Sequence, residues 1–298
     1  WIFEPYEPKP DTAPLIVFNH GWLGINPKIY GAWIDHLVRR GNIVVYPRYQ
    51  VITTPANKVT GYAIDAVKNA IDELNTGSHV RPELDKFAIV GHSLGGVITA
   101  NMAVLASSEG LPEPKAIMST TPGSTESMGF GGVLSGDLHL IPSSTLLLSI
   151  SCADDEVVVM EVARRIYNET TRIPAKNKDY ITMVSDYHGD PALVADHTAP
   201  SAEDRRYDLY DFLDDFGDDR IEMKIISADI PRDTSPNSIH KINSLDYYGF
   251  WKLFDALTDA AFYGKNREYA LGNTQEQRFM GKWTDGSLIK ELKVGSMP

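Results

Sequence analysis

The stretch of residues 87–105 constrains the fold of this chain more than any other part of the sequence. It begins with a short apolar run, residues 87–90, which is long enough for one buried strand. The sequence Gly91-His92-Ser93-Leu94-Gly95 follows at once, with a second glycine after it. The residues from 97 to 105 are small and largely apolar, as in a buried helix. The stretch therefore predicts a strand, a sharp turn that carries a serine, and a helix.

The turn fits a nucleophile elbow, in which a strained backbone pushes a serine hydroxyl out above a sheet. Cβ atoms at Gly91 and Gly95 are expected to collide with the neighbouring strand and helix, so that glycine is needed at both positions. The backbone N–H of Leu94 opens the helix and is expected to point at a developing oxyanion. Although the G-x-S-x-G pattern also occurs by chance in ordinary turns, its position between a strand and a helix favours Ser93 as a nucleophile.

Short apolar runs alternate with amphipathic segments over the first 200 residues, which predicts an α/β fold with a mostly parallel sheet and helices on both faces. An edge strand and a proline-stiffened loop are expected over residues 1–14. The other predicted strands lie at residues 15–18, 43–46, 115–119, 145–150 and 180–184, and the last of these is expected to complete the sheet. Residues 120–142 are rich in Gly and Ser and are expected to be the rim of a site or a mobile loop.

Three further helices are predicted from apolar residues at helical spacing, at residues 30–38, 63–74 and 245–262. Gly41 stands where a C′ glycine would end the first of them. The aromatic-rich third helix is expected to cover the sheet. We expect a single domain over residues 1–298, with a core at about residues 10–200 and a C-terminal helical elaboration at about residues 201–298 that has no hydrophobic core of its own.

The charge of the chain argues against several kinds of partner. The formal net charge is −12 and no basic cluster is present, so nucleic acid is not an expected partner. No apolar run approaches the roughly 20 residues that a membrane-spanning helix needs. Eight carboxylates lie between Glu203 and Arg220 and predict an exposed acidic helix. A calcium site is the alternative there, but the segment lacks an ordered 12-residue ligand loop, and we expect no metal.

The sequence leaves the cellular compartment open. The chain begins with Trp1 rather than Met, which is compatible with removal of a leader or tag, as in a secreted or periplasmic protein. Cys152 is the single cysteine, so no intrachain disulfide can form.

A nucleophilic serine needs two partners. Its hydroxyl is a poor nucleophile at neutral pH, so an imidazole must take its proton, and a carboxylate must orient that imidazole. Asp154 and Asp155 follow a predicted strand, and His188 and His197 follow the next one. One carboxylate is expected to face the imidazole, while the other binds backbone at the end of the strand. Their position after the strands does not decide between the two aspartates or between the two histidines.

Four stretches of the chain resemble the α/β-hydrolase superfamily, and among its branches the cutinase, dienelactone-hydrolase and chlorophyllase-like esterases. They are His20-Gly21-Trp22, the stretch from Gly91 to Gly96, Asp155-Glu156-Val157-Val158 and Asp196-His197-Thr198-Ala199-Pro200. The resemblance covers about residues 10–200. It implies a serine esterase that cleaves a small-molecule or lipid-like ester through an acyl-enzyme, without a cofactor.

The resemblance also implies which residues form the triad with Ser93. In this family the acid commonly precedes a small or polar residue and then a branched apolar one, which favours Asp155 over Asp154. An S-H-x-A-P-like motif surrounds the catalytic histidine of cutinase-like members, and the similar run that contains His197 favours this residue over His188.

The His-Gly-x turn after the first parallel strand is where the superfamily places its second oxyanion donor, which implies the N–H of Trp22 beside that of Leu94. Tyr30 and Trp33 are expected to be ordinary helix core. A thioesterase or an amidase would use the same residues. A catalytically silent binding protein on this fold typically lacks a triad member, and an epoxide hydrolase or dehalogenase needs a carboxylate in place of Ser93.

Overall fold

The structure is a computed structural model that describes residues 1–51, 53–124, 132–208 and 241–295. The described residues form a sheet of eight strands in the order β1-β3-β2-β4-β5-β6-β7-β8. The strands are β1 (Ile2–Phe3), β2 (Thr12–Asn19), β3 (Ile43–Val45), β4 (Arg81–His92), β5 (Ala116–Thr120), β6 (Leu146–Cys152), β7 (Lys178–Met183) and β8 (Lys293–Val294). The six strands from β3 to β7 in this order are parallel, whereas β1 and β8 pair antiparallel at the two edges. The predicted mostly parallel sheet is confirmed.

Helices cover both faces of the sheet. The α-helices of the described residues are α1 (Gly31–Arg39), α2 (Val59–Leu74), α3 (Leu94–Glu109), α4 (Glu161–Glu169), α5 (Lys252–Tyr263) and α6 (Gln275–Arg278). A π-helix, Leu245–Trp251, runs directly into α5. Short 3₁₀-helices lie at Pro27–Tyr30, Leu138–Leu140, Ala175–Asn177, Arg205–Tyr207 and Arg267–Tyr269. In these parts of the chain, no helix combines the length and the apolar character that a bilayer crossing requires.

The residues of β2 show why the central strands are continuously apolar. Ile16 and Phe18 pack in a core cluster with residues of α1 and α5, while Leu15 and Val17 pack in a second cluster with residues of α2, α3 and α4. Neighbouring side chains of a strand point to opposite faces of the sheet. Because helices cover both faces, every position of β2 in this run is buried and none needs a polar residue.

Strand β8 and helix α4 are among the elements that were not predicted. The strand at residues 178–183 does not complete the sheet, because β8 pairs with it along the edge, with Ile181 opposite Val294. A two-residue strand is too short to show a period in the sequence. Helix α4 connects β6 to β7 and buries Val162, Ala163 and Ile166 at helical spacing, an apolar stripe that was overlooked in the sequence.

The C-terminal part of the chain packs on the sheet, as predicted for its long helix. Phe250, Phe254 and Leu257 are fully buried in the core cluster that contains Ile16. The predicted single helix is a π-helix followed by α5. Its Gly249 packs closely on the sheet, since a Cβ added there would lie 2.8 Å from the Met183 methyl carbon. Of the acidic helix predicted over residues 203–220, the part from residue 209 onwards lies outside the described residues.

Candidate active site

The sharp turn between β4 and α3 holds Ser93 at the carboxyl edge of the sheet. Ser93 has φ 55° and ψ −120°, a conformation that costs a residue with a side chain on the order of 1–3 kcal/mol. Hydrogen bonds from both sides hold the strained turn: the Ser93 N–H donates to the Thr120 carbonyl at 3.0 Å, and the Gly123 N–H donates to the Ser93 carbonyl at 3.1 Å. The end of β5 therefore maintains the backbone of Ser93.

Both glycines of the turn are required by close backbone contacts. A Cβ added at Gly91 would overlap the carbonyl of Gly95 in α3. A Cβ added at Gly95 would overlap the carbonyl of Asn19 at the end of β2. These are the helix and strand collisions that the sequence predicts.

The loops after β6 and β7 bring a carboxylate and an imidazole to Ser93. The Nε2 of His197 lies 2.9 Å from the Ser93 Oγ, and its Nδ1 lies 2.8 Å from the Asp155 Oδ2. Parallel strands present their carboxyl ends at one edge, so residues 93, 155 and 197 meet despite their separation in the sequence. The structure thus brings together the three residues that the resemblance selects as a triad.

The two carboxylate oxygens of Asp155 have separate partners. Oδ1 accepts the backbone N–H groups of Val157 and Val158, each at 2.9 Å, and Oδ2 faces His197. Burial alone would raise the pKa of this carboxyl group, which is 2% exposed, but the hydrogen bonds from His197 and the two backbone groups outweigh it and lower the pKa. Asp155 is therefore an ionised carboxylate with a fixed orientation.

The structure places Asp154 and His188 away from this series of contacts. The Asp154 carboxylate accepts a hydrogen bond from the Tyr187 hydroxyl, so the expectation that it binds backbone was wrong. The strand-end loop turns this side chain outwards, where a tyrosine hydroxyl reaches it. The Nε2 of His188 lies 2.7 Å from the Asp285 carboxylate, and half of its side chain is exposed. His188 therefore connects two surface loops.

The loop after β2 lies against Ser93 and carries one of the two expected oxyanion donors. A Cβ added at Gly21 would lie 3.5 Å from the Ser93 Cβ, so the next residue, Trp22, is close to the nucleophile position. The second expected donor, the N–H of Leu94, is at the first position of α3. Within the described ranges no backbone or side-chain acceptor takes this N–H.

The peptide between Gly21 and Trp22 is held through its carbonyl oxygen. The Nδ1 of His20 lies 2.7 Å from the Gly21 carbonyl, which only accepts, and the Gly24 N–H donates to the same oxygen at 3.0 Å. Because this carbonyl and the Trp22 N–H belong to one planar peptide, the orientation of the first fixes that of the second. The His20 ring stacks on Tyr49 with 4.0 Å between ring centroids, and burial lowers its pKa to about 4.

Sequence reasoning missed the polar roles of Tyr30 and His92. Tyr30 is buried as predicted for helix core, but its hydroxyl is hydrogen-bonded to both Gly21 and His92. Only the position of His92 between Gly91 and Ser93 marked it in the sequence. In the part of the chain that the structure describes, no three His, Cys, Asp or Glu side chains form a cluster that could hold a metal ion.

A comparison with protein families matches the chlorophyllase family model to residues 2–124, which is less than half of the chain. The match includes Trp22 and Ser93 and ends before Asp155 and His197. No curated protein matches the chain significantly. The family match over residues 2–124 and the mostly parallel sheet with helices on both faces support the α/β-hydrolase superfamily. Within it the match is to the chlorophyllase-like branch, which implies hydrolysis of carboxylic esters in general.

Proposed function

We propose that the chain is a serine carboxylic-ester hydrolase with Ser93 as nucleophile, His197 as general base and Asp155 as the acid that orients it. The observation that supports this most strongly is the continuous series of contacts from Ser93 Oγ to His197 Nε2, at 2.9 Å, and from His197 Nδ1 to Asp155 Oδ2, at 2.8 Å. The strained backbone of Ser93 is a second argument, since strain of this kind is typical of a nucleophile elbow.

In the first half of the proposed reaction, the Ser93 Oγ attacks the ester carbonyl carbon while its proton passes to the His197 Nε2. The π electron pair of the carbonyl moves onto its oxygen, which becomes the oxyanion of a tetrahedral intermediate. The backbone N–H groups of Trp22 and Leu94 are the proposed donors to this oxyanion, and one such donor is typically worth about 3–4 kcal/mol of the barrier.

Collapse of the intermediate reforms the carbonyl, breaks the bond to the alcohol oxygen and leaves the acyl group on Ser93. The departing oxygen takes the proton from His197. Water then repeats both steps, with His197 again as base, and releases the carboxylic acid. In both halves the ionised Asp155 holds the proton on Nδ1 of His197 and stabilises the imidazolium.

The proposed substrate is a small-molecule or lipid-like ester. Val157 and Val159 follow Asp155 in its loop and are 50% and 52% exposed, so apolar surface is present beside the triad. Such a surface favours an apolar acyl or alcohol group over a charged one.

Hydrolysis of nitrophenyl esters from short to long acyl chains, run beside a few aromatic esters, tests the proposal. We expect the wild type to be active and Ser93→Ala to lose on the order of a millionfold in turnover. His197→Ala should approach the same level, and the dependence on chain length should define the acyl site. Activity of Ser93→Ala above a few per cent of the wild type would refute the assignment of the nucleophile.

A further inference from the structure

His92 stands directly before the proposed nucleophile and has a hydrogen-bond partner at each ring nitrogen. Its Nε2 lies 2.7 Å from the backbone carbonyl oxygen of His197. Its Nδ1 lies 2.7 Å from the hydroxyl of Tyr30. A carbonyl can only accept, so Nε2 carries the proton, Nδ1 is the acceptor, and the Tyr30 hydroxyl donates to it.

Tyr30 extends this arrangement to the loop of the oxyanion donor. Its hydroxyl oxygen accepts the backbone N–H of Gly21 at 3.0 Å. The direction of every bond is therefore assigned: Gly21 N–H to Tyr30, Tyr30 to His92, and His92 to the carbonyl of His197. We call this series of three hydrogen bonds the Tyr30–His92 relay. It connects the loop of Gly21 and Trp22, the turn of Ser93 and the loop of His197.

We propose that Tyr30 and His92 are positioning residues for ester hydrolysis, which set the place of His197 and of Gly21, the residue before the proposed oxyanion donor Trp22, relative to Ser93. The inference rests on the proposed function. The two side chains contact backbone groups next to the reacting atoms rather than the Ser93 Oγ or the His197 ring nitrogens.

Burial makes the loss of a hydrogen bond in the relay costly. Tyr30 and His92 are 2% and 6% exposed, so a broken bond leaves a polar group without water to replace the lost partner. Packing alone would be satisfied by apolar side chains at these positions, without the cost of burying two polar groups. The hydrogen bond from His92 to the His197 carbonyl, by contrast, fixes the position of the His197 loop relative to the turn that carries Ser93.

The relay also requires a neutral His92. Burial first, and then the charge of nearby His197, lower the pKa of His92 to about 3. Protonation would place a hydrogen on Nδ1, facing a Tyr30 hydroxyl that already has its own hydrogen there. The rings of His92 and His197 are 4.9 Å apart, so a neutral His92 also spares the imidazolium of His197 a second positive charge.

Three substitutions test the relay by steady-state kinetics on a nitrophenyl ester. His92→Leu removes both bonds, and displacement of the base by about 1 Å should lower kcat by on the order of 100-fold with little change in KM. His92→Gln can still donate to the His197 carbonyl and should recover much of this loss. Tyr30→Phe loses only the hydroxyl and should fall between them. The matched control is Thr145→Val, which loses a buried hydrogen bond from the Thr145 hydroxyl to the Pro114 carbonyl, at the amino ends of the strands and away from Ser93, and should keep its kcat.

The same His92→Leu change in a His197→Ala background separates positioning from general damage. If His92 acts through the base, its loss adds little once His197 is gone. An undiminished further loss there, or a kcat of His92→Leu and Tyr30→Phe equal to that of the wild type, overturns the positioning role while ester hydrolysis by Ser93 stands. A wild type that fails to hydrolyse esters, or an active Ser93→Ala, overturns the proposed function and the relay with it.

Discussion

Replacement of Asp155 by asparagine keeps the shape of the side chain and reverses one hydrogen bond. The N–H groups of Val157 and Val158 both donate to the carboxylate Oδ1. In Asp155→Asn the amide oxygen must remain there, because only an acceptor satisfies two donors. The amide NH₂ then faces the Nδ1 of His197.

This reversal changes which nitrogen of His197 carries the proton. An amide NH₂ can only donate, so Nδ1 becomes an acceptor and the ring proton moves to Nε2, where it faces Ser93. Nε2 can then no longer take the serine proton. A wrong tautomer of this kind costs about 10⁴-fold in turnover. At about 1.4 kcal/mol for each factor of ten, this is about 5.5 kcal/mol of transition-state stabilisation.

The matched variant is Asp154→Asn, which alters an exposed carboxylate bonded to Tyr187. Substitutions at exposed sites usually change the free energy of unfolding by no more than about 0.5 kcal/mol. Because the Asp154 side chain also lies outside the proposed triad, we expect the kcat of this variant to stay within about threefold of the wild type. The assay is nitrophenyl ester hydrolysis, with circular dichroism melts to check that both variants fold. More than about a tenth of the wild-type kcat in Asp155→Asn, or greater damage in Asp154→Asn, would refute the reasoning.

Three further expectations concern the pH dependence of stability, two glycine substitutions and the surface residue His188. Burial lowers the pKa of His20 to about 4 and that of His92 to about 3, below the ordinary 6.5 or so. The unfolded chain therefore binds more protons, and the free energy of unfolding should fall as pH decreases from about 6.5 towards 4, by up to about 1.4 kcal/mol per pH unit for each histidine. Urea unfolding across this range measures the slope, and a flat profile would contradict it. Gly95→Ala forces a backbone overlap and should destabilise by at least about 1–3 kcal/mol. Gly61→Ala, in open space on α2, should stabilise by up to about 1 kcal/mol, and equal effects in thermal melts would argue against this difference. His188→Ala should keep ester turnover within about twofold, and a loss as deep as that of a triad variant would contradict its placement on the surface.

Local patterns explain why much of the sheet could be predicted from the sequence. The strands that include residues 15–18 and 87–90 are covered on both faces, so their apolar runs are uninterrupted. The helices at residues 31–39 and 59–74 have one buried face, which gives a helical period. β8 has only two residues and carries no periodic signal, whereas α4 has a clear apolar stripe at helical spacing that was overlooked.

Contacts between distant loops set the limit of prediction for the site. Ser93 could be predicted because the strand, the glycines and the helix are contiguous in the sequence. Asp155 and His197 were selected by resemblance rather than by spacing, because the lengths of their loops do not fix where their side chains meet. The Tyr30–His92 relay joins groups that lie 62 and 105 residues apart, and no local pattern marks it.

The most direct test of the central claim is reaction of the folded chain with a fluorophosphonate, which traps an activated serine. We expect one adduct per chain in the intact mass spectrum of the wild type, located on the peptide that contains Ser93. Ser93→Ala should remain unlabelled, and Thr145→Val should react as the wild type does. An unlabelled wild type, or an adduct that persists in Ser93→Ala, would contradict a reaction that runs through an acyl group on Ser93.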